Sequence, residues 1–211
     1  MMKRKLLPLI ILSVFLTLPA GSQTVGVRGG LTLAKGSYKY SMVKQQTHFM
    51  PGFCTGLAVE FPLSEPLYLN SGFLFIKKGT KRHISDVDEK IPVRYLEIPV
   101  NIVYKFDFIT WQLFGNAGLY TGIGLSAKSK RGDDVEKIEF GTDLGQFRRM
   151  DYGINLGAGI EIDNNVQFIV NYGYGFRDIS RRYDERIKNR VLSFTVVYPL
   201  EELVYFIQSL Y

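Results

Sequence analysis

One cysteine, two histidines and one tryptophan are all that 211 residues contain of these types. A lone Cys54 excludes an intramolecular disulfide framework and a cysteine-based metal cluster, and is read as a small buried hydrophobe. His48 and His83 show no spacing that suggests shared metal ligation, and both are read as solvated residues of external loops. Ser, His and Asp occur without the local motif of a nucleophilic triad, and the glycines form no phosphate loop. The chain is therefore expected to be neither an enzyme nor a cofactor binder. A large excess of one charge is also missing. Taking Lys3, Arg4 and Lys5 from the 26 basic residues leaves 23 against 20 acids, or +3, which is no nucleic-acid signature.

Long apolar runs are absent beyond the first 22 residues. Hydrophobic residues make up 46% of the chain, yet its mean hydropathy is only +0.01, so apolar and polar residues are interleaved. At the N-terminus, Lys3, Arg4 and Lys5 precede an apolar stretch from Leu6 to Leu18. Ala20-Gly21-Ser22 then supplies small residues ahead of Gln23. This order predicts a cleaved signal peptide over 1–22. An uncleaved anchor is the alternative, but the stretch is short of the roughly 20 residues a span takes. No cysteine lies beside the cleavage site, which argues against a lipoprotein.

From Thr24 to Leu200 the dominant period is two. Leu96, Ile98, Val100, Ile102, Tyr104 and Phe106 alternate with Tyr95, Glu97, Pro99, Asn101, Val103 and Lys105. Successive strand side chains point to opposite faces, so this segment has one oily and one polar side. The stretches 150–162 and 166–177 repeat the pattern. Five weaker segments follow it: Val25–Leu33, Phe53–Phe61, Leu67–Phe75, Trp111–Leu125 and Val191–Tyr198. Eight strands of about 9–11 residues suit tilted crossings of a bilayer. Their connections alternate in length. Pro62–Pro66, Asp107–Thr110 and Asp163–Asn165 are short; Lys35–His48, Lys78–Ile91, Lys128–Phe147 and Asp178–Lys188 are long. Tight periplasmic turns and long external loops have this asymmetry, which places both mature termini in the periplasm.

A soluble barrel holding an apolar ligand would show the same alternation with its oily face inward. The glycines decide against it. Gly26, Gly30, Gly56, Gly72, Gly118, Gly122, Gly153, Gly157, Gly159, Gly173 and Gly175 nearly all fall on the polar face, which fits the narrow interior of an eight-stranded barrel. The bulky apolar face then points outward, where only lipid accommodates it. Phe61, Phe106, Phe108 and Trp111 near the turns, with Phe53, Tyr152 and Phe176 near the loops, fit two interfacial girdles. The fold expected is all-β: an eight-stranded antiparallel up-and-down transmembrane β-barrel over 23–200.

The segments Tyr95–Phe106, Asp151–Ile162 and Val25–Leu33 resemble strands of the outer-membrane β-barrel domain family that includes PorT-like proteins. The resemblance covers Gln23 to Leu200. It implies outer-membrane location and a porin-like barrel type, with a link to type IX protein secretion through the PorT branch. Such barrels commonly stop at an aromatic residue ending the last strand, whereas here 201–211 follow as a C-terminal tail. Leu203, Phe206, Ile207 and Leu210 have the spacing of an interfacial amphipathic helix; a frayed end or a strand extension is the alternative.

Inside the barrel, parity predicts a polar network of Arg28, Glu97, Asn101, Lys105, Asn116, Asp151, Asn155, Glu161, Asn171 and Arg177. Hairpin register pairs Ile162 with Val166 and places Asp151 opposite Arg177. Pairing Phe106 with Trp111 would set Asn101 opposite Asn116. Such charges must find partners, because desolvating them alone is costly. A basic outer rim of Arg177, Arg181, Arg182, Arg186, Lys188 and Arg190 is read first as a solvated face and second as a contact for lipopolysaccharide phosphates or an anionic partner, which arginine forks suit; Lys77, Lys78, Lys81 and Arg82 form a second cluster. The expected partners are outer-membrane lipid and a protein reached through the external loops. A plugged structural or partner-binding barrel is the first reading. A narrow solute channel and an accessory role in secretion are the others.

Overall fold

The computed structural model describes residues 23–84, 87–162 and 166–201. The expected signal peptide, the turn at 163–165 and the tail beyond Glu201 lie outside them. In chain order the strands are β1 Thr24–Ala34, β2 Ser37–Tyr40, β3 Val43–Gln45, β4 Met50–Ser64, β5 Leu67–Ile84, β6 Val87–Asp107, β7 Trp111–Arg131, β8 Asp134–Ile138, β9 Met150–Ile162, β10 Val166–Gly175, β11 Glu185–Lys188 and β12 Arg190–Pro199. Eight of them run as a ring, β6-β5-β4-β1-β12-β10-β9-β7, closed by the pairing of β7 back to β6. All neighbours in it are antiparallel. The all-β up-and-down barrel is therefore realised, and no stave is left with a free edge.

Facing follows the sequence parity at membrane level. On β6, Val100, Ile102, Tyr104 and Phe106 are exposed while Glu97, Asn101, Val103 and Lys105 are buried. On β9, Tyr152, Ile154, Leu156, Ile160 and Ile162 are exposed against buried Asp151, Asn155 and Glu161. The aromatic girdles are also present. Phe106, Phe108 and Trp111 are exposed at the short-turn end; Phe53, Tyr152 and Phe176 are exposed at the other. Phe61 departs from this set: it is buried, next to the irregularity where β4 shifts register against β5 between Pro62 and Ser64.

Register is right in one hairpin and shifted in another. β9 and β10 pair Ile162 with Val166 as expected. In the β6–β7 hairpin, Phe106 faces Leu113 rather than Trp111, Asn101 faces Gly118 and Val103 faces Asn116. The turn holds more residues than expected because Phe108 stacks on Trp111 at 4.3 Å and Gln112 Nε2 donates to Asp107 Oδ1 at 2.5 Å. Side-chain facing survives the change, since the shift is even.

The long connections are not loops throughout. The expected loop Lys78–Ile91 continues as the hairpin of β5 and β6, which runs on to Ile84 and Val87. His83 thus lies in a strand, with Nδ1 at 3.1 Å from Asp88 Oδ1. Strands of 18 to 21 residues exceed the 9–11 needed to cross lipid, so β5, β6 and β7 rise well above the apolar band. Charges obscured this extension, yet they are what hold it. Lys81 pairs with Asp88 at 2.7 Å and Arg82 with Glu89 across the hairpin. On β7 a residue is inserted opposite Arg94/Tyr95, which reverses the parity so that Ala127 and Ser129 face inward above it.

Over the outer mouth, β2, β3 and β11 form a separate three-stranded sheet. Tyr38 and Ile187 of this capping sheet, Ile138 of β8, and Phe147 and Ile179 of the long connections pack with Ile76, Ile91, Val93, Tyr95 and Val191 of the staves. Cys54 is buried in the same cluster. The end of the interior away from the short turns thus holds an apolar core, beside buried polar groups such as Thr80, Glu89 and Ser129.

Two glycines give a test of stave packing. A Cβ on Gly56 would run into the Phe73 carbonyl of β5, whereas one on Gly29 meets nothing within 4 Å. Gly56→Val is expected to cost about 1–3 kcal/mol by overpacking, and Gly29→Ala to change little. Urea titration of heat-modifiable gel migration checks both; equal loss in the two variants would contradict the packing described.

Candidate functional site

Four layers fill the barrel from the short-turn end outward. In the first, Lys105 Nζ lies 2.5 Å from Glu60 Oε1 and 2.8 Å from Glu161 Oε2. Gln167 Nε2 donates to both carboxylates, at 3.2 and 2.8 Å, and the Tyr68 ring sits 4.3 Å from the ammonium. One cation between two carboxylates, each with further donors, is the arrangement that makes burial of charge tolerable.

The second layer is built around Arg28, which donates to Asn70 Oδ1 at 3.2 Å. Asn101, Asn116 and Asn171 each keep a side-chain oxygen with no hydrogen-bond partner among the described residues. Asn155 lines the same space. Two small cavities lie here, of about 30 and about 10 Å³. The larger has room for a water or two to satisfy these amides.

The third layer centres on Lys78. Its Nζ lies 2.5 Å from Glu97 Oε2 and 3.2 Å from Asp151 Oδ2. The Tyr120 ring covers it at 3.8 Å, and Tyr120 Oη donates to Asp151 Oδ2 at 3.3 Å. Asn189 Nδ2 adds a bond of 2.9 Å to the same oxygen. Above this comes the apolar core under the cap, where Arg82 covers the Tyr38 ring at 4.0 Å. Burial pushes the Tyr38 phenol up to about 12, and it pushes the Glu185 carboxyl above its ordinary range.

Of the ten residues expected in the interior, nine lie there; Arg177 does not. β10 leaves the ladder after Gly175, and the Arg177 guanidinium sits over the outward Tyr152 ring at 5.4 Å. Asp151 takes Lys78 as its cation instead. Lys78 had been grouped with the external lysines. Its parity with Asn70, Gly72, Leu74 and Ile76 could have placed it inside, had β5 been followed past Phe75. Glu60 carried the same signal beside Cys54, Gly56 and Ala58. Asn189 and Tyr38 carried none, since they come from outside the staves.

The basic rim divides in two. Arg177 and Arg190 stand at the edge of the apolar band, over Tyr152 and Tyr174, and Lys35 lies likewise over Phe49 at 5.0 Å. Arg181, Arg182 and Arg186 line an open cleft of about 400 Å³ on the cap. Lys188 is half-buried in β11, opposite Ser37. Among the described residues no group of three or more His, Cys, Asp or Glu could hold a metal ion.

The family described as "Outer membrane protein beta-barrel domain" matches residues 21–181. No curated protein matches the chain. Among solved structures, Neisserial surface protein A is 16% identical with a TM-score of 0.47, covering 84% of this chain and 98% of that one. Ail, the attachment invasion locus protein of Yersinia pestis, was solved in complex with the heparin analogue sucrose octasulfate. It is 16% identical with a TM-score of 0.40, covering 84% and 99%. The outer membrane enzyme PagL is 15% identical with a TM-score of 0.42, covering 81% and 99%.

Lys78 gives the layer at Asp151 a direct test. Removing one partner of a buried ion group costs about 3–5 kcal/mol, whereas replacing the whole group is often neutral. Lys78→Met should therefore destabilise by roughly that amount, and Lys78→Met with Glu97→Gln and Asp151→Asn should recover most of it. Unfolding from lipid vesicles in urea measures both.

Proposed function

Because the chain belongs to the outer membrane protein β-barrel domain family, we propose that it is a closed, non-enzymatic barrel of the outer membrane that serves a structural or partner-binding role through its external cap. The observation that carries this reading is the filled interior. Side chains at Lys105, Arg28 and Lys78 occupy successive layers, and the two cavities described among them measure about 30 and about 10 Å³. The apolar core beneath the cap closes the outer end. These features weigh against the porin-like channel as the alternative. The described chain also supports periplasmic mature termini: Thr24 pairs with Glu60 and Gly26 with Pro199, at the same end as the short turns.

In this reading the cations over the girdle aromatics face the phosphates of lipopolysaccharide. Lys35, Arg177 and Arg190 each project beside an exposed or half-buried ring at the upper edge of the band. Long cationic side chains that bury their stems against rings and keep their heads at the interface suit such phosphates.

Two measurements test the proposal. In planar bilayers the purified protein is expected to give no conductance steps; regular steps would favour the channel. Added lipopolysaccharide should raise the melting temperature of the detergent-solubilised protein. Lys35→Gln, Arg177→Gln and Arg190→Gln together should remove most of that rise, and an unchanged rise would remove the lipid assignment.

A further inference from the structure

The cleft on the cap has walls from three separate connections: the β2–β3 hairpin, the segment 142–148 and the segment 178–186. It is strongly basic. Lys39, Arg148, Arg181, Arg182 and Arg186 line it, against Asp178, Asp184 and Glu185. Two of those carboxylates already have partners. Asp178 lies 3.7 Å from Arg148 and accepts from the Ser180 and Ile187 amides. Glu185, itself buried, lies 3.9 Å from Arg182. Lys39, Arg181 and Arg186 line the cleft with Asp184 and make no ion pair among the described residues, and the buried Nε of Arg181 has no hydrogen-bond partner among them.

Apolar side chains stand at the mouth of the same cleft. Met42 is 73% exposed, Leu144 82% and Tyr183 83%. Each is carried by a pinned turn. Ser41 and Met42 have φ of 45° and 67°, the left-handed pair of a two-residue hairpin turn, without the glycine or asparagine that usually relieves it. The Ser41 amide donates to the Asp184 carbonyl at 2.9 Å, which ties this turn to the opposite wall, and Asp184 is itself left-handed at φ 57°. These are all the non-glycine positive-φ residues among those described. Leu144 rides a turn held by the Asp143 amide donating to Gln146 Oε1 and by Gln146 Nε2 donating to Asp143 Oδ2. Strain held in place by surrounding contacts clusters where a surface is used for recognition.

We infer that this cleft is a docking site for an acidic segment of another protein, one that also carries apolar side chains. This deepens the partner-binding reading of the cap and rests on it. The unpaired cations set the sign of the partner, and arginines with Tyr and Met are the composition of protein-binding hot spots. Apolar anchors on fixed turns cost little ordering on association. A purely anionic glycan would use the cations but leave Met42, Leu144 and Tyr183 idle.

The test is selection of a random twelve-residue peptide library on the mature protein in lipid nanodiscs. Enriched peptides should combine Asp or Glu with Leu, Phe or Tyr. Their affinity should fall about tenfold for Met42→Ser with Leu144→Ser, and by a similar factor for Arg181→Gln with Arg186→Gln. All four positions are exposed or half-buried, so heat-modifiable migration should be unchanged; if a double variant loses it, Met42→Ser and Arg186→Gln singly give the reading. No enrichment, enrichment of basic peptides, or binding insensitive to the apolar variants overturns the inference. So does a sulfated oligosaccharide that binds competitively and loses affinity only on the arginine changes, which assigns the cleft to a glycan. Conductance in bilayers would refute the closed barrel without moving any of these affinities, so the two failures are distinguishable.

Discussion

Hydrocarbon offers no hydrogen bonds to a peptide group, and an unpaired amide or carbonyl there costs several kcal/mol. Every stave of this chain must therefore have a neighbour on both sides, and the pairing of β7 back to β6 removes the last two open edges. The rest of the architecture follows from that closure. With eight strands the enclosed space is only wide enough for side chains. The period of two sends Val100, Ile102 and Tyr104 to the lipid and their neighbours Asn101 and Val103 to the interior. Charges on the inner face have no water to retreat to, so they must be neutralised by one another.

The three buried cations among the described residues are handled in two ways. Lys105 and Lys78 are flanked by two carboxylates apiece, while Arg28 is held among amides. The aromatic rings of Tyr68 and Tyr120 cover the two ammonium groups and exclude water from them. Above Lys78 the problem changes, because the staves leave the bilayer while the barrel continues. There the external connections turn inward, and Tyr38, Phe147, Ile179 and Ile187 fill the mouth as an ordinary protein core would. Polar side chains fill the barrel at membrane depth, and an apolar cluster packs above them. The docking site proposed above lies on the surface of the cap, where charge and strain coincide around Ser41, Met42 and Asp184.

Much of this was legible in the sequence, for reasons that can be given residue by residue. Leu96 to Phe106 announces its strand and its facing because lipid tolerates no exception on the outward side of a stave. Asp151, Glu161, Lys105 and Arg28 could be placed inside for the same reason. Lys78 carries the same parity on β5 but is missed, because a doublet of lysines after Phe75 reads like a loop when the strand is assumed to stop at the membrane edge. Arg177 was misplaced by continuing a ladder that ends at Gly175. The cap residues gave no warning. Their apolar side chains follow no period, and their burial comes from segments that meet only when the barrel has closed.

The sequence by itself determined which segments become staves and which of their faces meets lipid, since facing depends on neighbours two residues apart and on the solvent outside. Tertiary structure decided which charge meets which, and where the long connections go. Lys78 and Asp151 are 73 residues apart in the chain, and no local pattern encodes their meeting. Only the registers around the ring bring them to one depth, and only the folded cap makes the barrel's open end into a surface.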